Sequence, residues 1–276
     1  MALVSFRLDD VGACSKRYEV YSDHAWRIGP VGVSANWLFL KYLPPFKKWG
    51  PYRELTAQDW DAILDVLEHH QAKLTVAVTA AWPESAGRLI PFPERFPDEA
   101  AALMSGVQRG LIEIANHGLT HCVLRDNAFK PRWWSGNRPF HREFWDWIPL
   151  EEQERHIRRS QEILQDYFRT EVVTFVPPGN VFTDATLEIA QRYGLRHLSC
   201  KASGPRSEHL TILPEEQVVA FHDREIVLNG LEWFERLLAR HDEAEWRFVR
   251  ELGAQMERTI RRQGEDLAWI GRRAPS

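Results

Sequence analysis

The stretch Leu111–Cys122, LIEIANHGLTHC, constrains the fold more than any other part of the chain. It begins as an apolar strand and ends in two histidines four residues apart, His117 and His121. Such a spacing sets both imidazoles on one side of a helical turn, where neutral ring nitrogens can share one metal ion. The first residues repeat the arrangement. ALVSFRLDD is a second apolar strand that runs straight into hard, charged ligands, Asp9 and Asp10. Two strands that each end in metal-type ligands predict one site at the C-terminal face of an α/β sheet or barrel.

With 276 residues, 44% of them hydrophobic, the chain can bury a full core. A single domain over 1–276 is expected, with rim insertions at about 11–55 and 123–148. The 35 basic and 39 acidic residues give a net charge of −4, which argues against nucleic-acid partners and attraction to membranes. The N-terminus enters a strand without a basic region and a long apolar run, so no signal peptide is expected. No segment approaches the roughly 20 apolar residues of a membrane span, so no membrane insertion is expected either. Three cysteines, Cys14, Cys122 and Cys200, cannot all pair, and Cys122 and Cys200 read as buried small hydrophobes. They favour a reducing compartment, and the expected location is cytoplasmic.

Along the chain, strands at about 2–8, 73–80, 111–116, 171–176, 196–200 and 217–221 alternate with amphipathic helices. Thr56 caps the helix AQDWDAILDVLEHH, and Gly110 ends the helix that Pro97 begins. SANWLFLKYL is read as a short helix, and two C-terminal helices are expected over about 231–263. This alternation calls for a parallel sheet with right-handed crossovers. Ligands at the ends of three strands favour a closed or nearly closed barrel, whose C-terminal rim collects chemistry from separate strands.

SFRLDDVG, NHGLTH, FVPPGN and VVAFHD occur in the order and approximate spacing of the polysaccharide deacetylase (NodB-homology, carbohydrate esterase family 4-like) family, which the chain resembles from Ser5 to about Leu238. The resemblance implies an α/β fold, a distorted (β/α) barrel of six to seven parallel strands. It also implies metal-dependent removal of an N-acyl group, acetyl or formyl, from an amino sugar. Asp10, His117 and His121 match the metal ligands, Asp9 the general base and His222 the acid that protonates the departing amine. Two histidines and one carboxylate with open positions suit Zn²⁺, with Co²⁺, Ni²⁺, Mn²⁺ or Fe²⁺ as alternatives. Pro178, Gly179 and Asn180 match the proline-rich strand end that lines the substrate pocket. Asn36 and Asn116 are further candidate linings.

Two departures stand out. Val176 occupies the place of the arginine that orients the base in the family, and HLSCKASGP lacks the acidic, tryptophan-bearing motif that tunes the acid histidine. Period-two alternation puts Arg7 on the same strand face as Asp9, where a guanidinium can replace the missing partner. Asp223 is a second candidate for orienting a neighbour. The 26 residues of Val123–Ile148 hold seven aromatics and five basic residues, among them Arg132, Trp133, Trp134 and Arg138. Aromatic faces pack on sugar rings and arginine forks read phosphate or carboxylate. They suggest an anionic carbohydrate or nucleotide-sugar substrate, such as a surface-polysaccharide precursor. Two other readings stay open: a metal-containing carbohydrate-binding protein without turnover, and hydrolysis of another non-peptide C–N bond.

Overall fold

The structure, a computed structural model, describes residues 3–17, 19–37, 39–84, 88–123, 142–201 and 208–259. Strand β1 (Leu3–Val11) is followed by a hairpin, β2 (Ala25–Ile28) and β3 (Val31–Ser34), and then by helix α1 (Ala57–His69). Next come β4 (Leu74–Val78), a small hairpin of β5 (Ala81–Pro83) and β6 (Leu89–Pro91), and helices α2 (Phe92–Arg95) and α3 (Pro97–Gln108). The units β7 (Ile112–Asn116) with α4 (Leu150–Phe168) and β8 (Thr174–Phe175) with α5 (Asp184–Arg192) lead to the short strands β9 (His197–Leu198) and β10 (Thr211–Ile212). Strand β11 (Val218–His222), α6 (Asp223–Asn229), α7 (Leu231–Ala239), β12 (Glu245–Trp246) and a helix over 249–259, α8, complete the described chain.

Seven strands form one parallel sheet in the order β10-β9-β8-β7-β4-β1-β11. Its two faces differ as period-two alternation requires. Val4, Phe6 and Leu8 of β1 join the main apolar core, together with Trp60, Ile63 and Leu67 of α1, Leu103 of α3 and Leu164 of α4. Each such side chain contributes about 1.5–3 kcal/mol of burial. The alternate residues Ser5, Arg7 and Asp9 are buried on the other face, where Ala77, Ala115 and Val176 form a small apolar cluster. Arg7 Nη1 donates to Ser199 Oγ, just past β9, at 2.7 Å. The sheet order puts three strands between β1 and β9, so only a curled sheet permits that bond. The fold is a distorted (β/α) barrel, with β10 and β11 at the ends of the strand path.

Local chemistry explains the element ends. The Thr56 side chain accepts from Asp59 N–H and the Asp59 carboxylate accepts from Thr56 N–H, a capping box that starts α1. The apolar run 171–176 pairs only at Thr174–Phe175, because Pro177 and Pro178 bring no N–H to a ladder. SANWLFLKYL forms two 3₁₀ turns, Ala35–Trp37 and Phe39–Tyr42, instead of a helix. The two helices expected over about 231–263 are α7 and α8, and a further helix, α6, precedes them. Helix α6 starts directly after His222, where Glu225 turns back to accept the His222 N–H at 2.9 Å, and β12 separates α7 from α8.

Candidate metal centre

Neighbouring residues of a regular strand point to opposite faces, so Asp9 and Asp10 cannot both serve one site without a break in β1. The break is a bulge. Leu8 pairs with Val76 and Val11 with Val78, so three steps of β1 face two of β4. Asp10 takes up the extra residue at φ 72°, a left-handed conformation that Asp tolerates better than most side chains. The strand therefore continues to Val11, and the aspartates sit inside it rather than beyond an end at Leu8.

Asp10 Oδ1 lies 3.0 Å from His121 Nε2 and 3.2 Å from His117 Nε2. One ligand atom from each of the three residues falls within 4.8 Å of the others, and all three residues are buried. The expected helical turn between the histidines is absent: 117–121 is an irregular turn with Gly118 at φ 77° and His121 at φ 68°. His117 Nδ1 donates to the Val176 carbonyl at 2.6 Å, which leaves the Nε2 lone pair facing Asp10. His121 Nδ1 accepts from Arg142 Nη1 at 2.6 Å and lies 2.9 Å from Ser15 Oγ, so without an ion its ring proton sits on Nε2 and faces Asp10. With an ion there the proton would move to Nδ1, where Ser15 Oγ can accept it. Burial, with the Arg142 charge, lowers the His121 pKa to about 4 against the pull of Asp10. Burial favours the neutral form of Asp10, yet neighbouring charge, that of His222 foremost, holds its pKa well below the usual range. Neutral imidazoles and an ionised carboxylate converging on one point are the donor set a divalent cation requires, so the residues fit such an ion.

Arg7 grips Asp9 with two prongs, Nε to Oδ1 at 2.8 Å and Nη2 to Oδ2 at 2.7 Å. The β1–β11 register sets Asp9 opposite His222. Burial works against the His222 imidazolium, but Asp10, the Glu225 hydrogen bond and Asp9 outweigh it and push its pKa up to about 9. A cleft of about 180 Å³ opens over these residues. Asp10, His121 and His222 line it with Gly179, Arg142 and Glu19, and with Tyr21, Trp49 and Arg224. Arg142 pairs with Glu19 at 3.2 Å, and the Arg224 guanidinium lies 4.3 Å from the centre of the Trp49 ring.

The remaining predicted residues are placed as follows. Pro178 is buried at the start of the 3₁₀ turn Pro178–Asn180 and does not line the cleft. Gly179 has φ 63°, and a Cβ there would meet Arg142 Nε at 2.7 Å, so the glycine makes room for that guanidinium. Asn180 is exposed and its Oδ1 accepts the Lys201 N–H at 3.0 Å. Asn36 is bonded to Ser22 and Ser34, and Asn116 to Ser160, Gln161 and Gly118 N–H, so both brace the chain. Val176 packs with Ala77 and Ala115. Asp223 pairs with the buried Lys16, which also donates to Glu54 at 2.8 Å. Arg132, Trp133, Trp134 and Arg138 lie outside the described residues. Sequence reasoning missed Glu19, Trp49, Arg224 and Lys16; the proline-rich segment carrying Trp49 gave no periodic signal.

The family profile for polysaccharide deacetylases matches residues 50–198, just over half of the chain. The chain belongs to the polysaccharide deacetylase family. The matched span contains His117, His121 and the Pro177–Asn180 turn; Asp9, Asp10 and His222 lie outside it, and Asp10 and His222 meet His121 and Gly179 at the cleft. No curated protein matches the chain. Among solved structures it is similar to a CE4 family pseudoenzyme from Bacillus anthracis at 15% identity, over 71% of this chain and 60% of that one, with a TM-score of 0.44. It thus spans less than two thirds of that protein. The deacetylase domain of BpsB from Bordetella bronchiseptica is 19% identical over 60% of this chain and 69% of that one, with a TM-score of 0.43. A putative polysaccharide deacetylase from Mycobacterium smegmatis is 14% identical over 74% and 77%, also with a TM-score of 0.43. Among the described residues, no helix is long and apolar enough to cross a membrane.

Proposed function

We propose that the chain is a metal-dependent carbohydrate N-deacylase that removes an acetyl or formyl group from an amino sugar. The observation that carries this reading is the two-pronged Arg7–Asp9 pair beside the Asp10–His117–His121 set and across from His222. A protein that only held a metal and a sugar would need neither a fixed carboxylate nor a raised imidazole next to the ligands.

Asp10, His117 and His121 hold the ion, Zn²⁺ or one of Co²⁺, Ni²⁺, Mn²⁺ and Fe²⁺. When bound, such an ion polarises an amide carbonyl and acidifies a water molecule. Asp9 takes the proton of the attacking water, and Arg7 fixes both of its oxygens in place in the role that Val176 leaves open. His222, opposite Asp9 in the β1–β11 register and at the cleft, is placed to give a proton to the departing amine. The Gly179 backbone at the cleft wall offers an N–H to the developing oxyanion. Arg142 and Arg224 at the same cleft support a substrate with an anionic group, such as a nucleotide-linked precursor of a surface polysaccharide.

The test is release of acetate or formate when the metal-loaded protein meets free and nucleotide-linked N-acetyl and N-formyl amino sugars. At least one substrate should turn over. Arg7→Met should cut that rate about 100-fold or more with the metal retained, and Arg7→Lys should recover part of it. An Arg7→Met variant as fast as wild type would remove the orienting role. Metal binding without acyl release from any sugar would move the chain to the carbohydrate-binding reading.

A further inference from the structure

In the turn that carries both histidines, the Gly118 and Leu119 carbonyls accept from Ala80 and Ala81 N–H, whereas the N–H groups of 119–121 have no backbone partner among the described residues and meet one carboxylate. Leu119 and Thr120 N–H each donate to Glu143 Oε2 at 3.2 Å, and His121 N–H donates to Glu143 Oε1 at 3.0 Å. Thr120 Oγ1 adds a longer bond at 3.4 Å, and His156 Nδ1 backs the same carboxylate from α4 at 2.6 Å. Three successive N–H groups around one anion form a cradle that an uncharged side chain fills poorly. Glu143 is fully buried and pairs with no lysine or arginine among the described residues; the donors seen around it are these N–H groups, Thr120 and His156. The fit extends to Gly118, where a Cβ would stand 1.8 Å from Glu143 Oε1.

We propose that Glu143, held by His156, is the positioning residue of the metal centre. It fixes residues 118–121 in the irregular turn, left-handed at Gly118 and His121, that aims His121 Nε2 at Asp10. This rests on the metal-centre reading above and adds to it a residue that touches neither ion nor substrate.

Glu143→Gln keeps the shape but sets an N–H₂ donor before one of the turn's N–H groups. Two measurements follow: metal affinity by chelator competition with the absorption bands of the Co²⁺ form, and hydrogen exchange of amides 119–121 in metal-free protein. The variant should bind metal about 10–100-fold more weakly, with shifted Co²⁺ bands, and should exchange those amides faster. Gly118→Ala should reproduce both effects by pushing the carboxylate off the turn. Should Glu143→Gln fail to fold, His156→Gln leaves the carboxylate in place without its support and should give a smaller loss of the same kind. Affinity and exchange equal to wild type would overturn the proposal. A wild type that binds no ion would end the metal-centre reading, and the exchange result would then decide alone whether Glu143 holds the turn.

Discussion

Two buried carboxylates point into the barrel from opposite ends, and their neighbours give them opposite fates. At the N-terminal end, Glu113 accepts from Thr75 Oγ1 at 2.8 Å, Thr174 Oγ1 at 2.5 Å and Arg250 N–H at 3.2 Å. The first turn of α8 thereby plugs the barrel floor, with Val249 N–H also donating to Thr75. At the C-terminal end, Asp10 meets two imidazole nitrogens, whose lone pairs can face the same point as its own oxygen. A carboxylate surrounded by donors has its acceptor capacity filled and becomes part of the scaffold. One that shares its surroundings with acceptors keeps a place for a cation.

If that distinction is right, removing Glu113 should cost stability and leave the rim alone. Glu113→Ala should lose about 3 kcal/mol in denaturant unfolding, because two hydroxyls and a helix N–H are left unanswered. Its metal affinity should stay within about twofold of wild type, the usual scale for uncoupled sites; a parallel fall would mean that the two ends act as one unit. The pH profile sharpens the contrast. Burial raises the Glu113 pKa despite the opposing bonds from Thr174, Thr75 and Arg250 N–H. A carboxyl with a raised folded-state pKa gives stability that is complete below its unfolded value, about 4.3, and is lost as pH rises through the folded one. Glu113→Gln should therefore show a flatter fall in stability above about pH 4.

The smallest effect belongs to a partly exposed carboxylate outside the barrel. Asp59, in the capping box of α1, is opposed by partial burial, but Arg53 and the Thr56 N–H and hydroxyl bring its pKa to about 2. Its stabilisation is present above the unfolded value of about 3.9 and disappears as pH falls through 2. Asp59→Ala should lower stability by about 1 kcal/mol at neutral pH and by nothing measurable in strong acid, followed by thermal unfolding. The Asp59 bonds run to Arg53 and Thr56 and to no residue of the metal centre, so metal affinity should not change.

Much of this was written locally. Strands and helices followed from apolar period, and the α1 cap from Thr56 and Asp59. The facing of Arg7 and Asp9 followed from strand alternation alone. What escaped depends on contacts between distant residues. The bulge at Asp10 is a mismatch between β1 and β4 and exists in neither strand by itself. Glu143 lies 22 residues from His121, in a segment whose aromatics suggested sugar binding, yet Phe144 and Ile148 beside it are buried. The Lys16–Asp223 pair joins residues 207 apart. The start of α6 did leave a trace, since Glu225 three residues after His222 is a capping-box spacing, although histidine is an unusual cap.

The central claim is that adjacent aspartates do different work: Asp10 ligates and Asp9 does not. Bound Zn²⁺ per chain, with affinity by chelator competition, tests it directly on wild type, Asp9→Asn and Asp10→Asn. The account predicts about one ion per chain for wild type and Asp9→Asn, and a loss of affinity of about 100-fold or more for Asp10→Asn. Loss in Asp9→Asn with retention in Asp10→Asn, or no ion in any of the three, would contradict it.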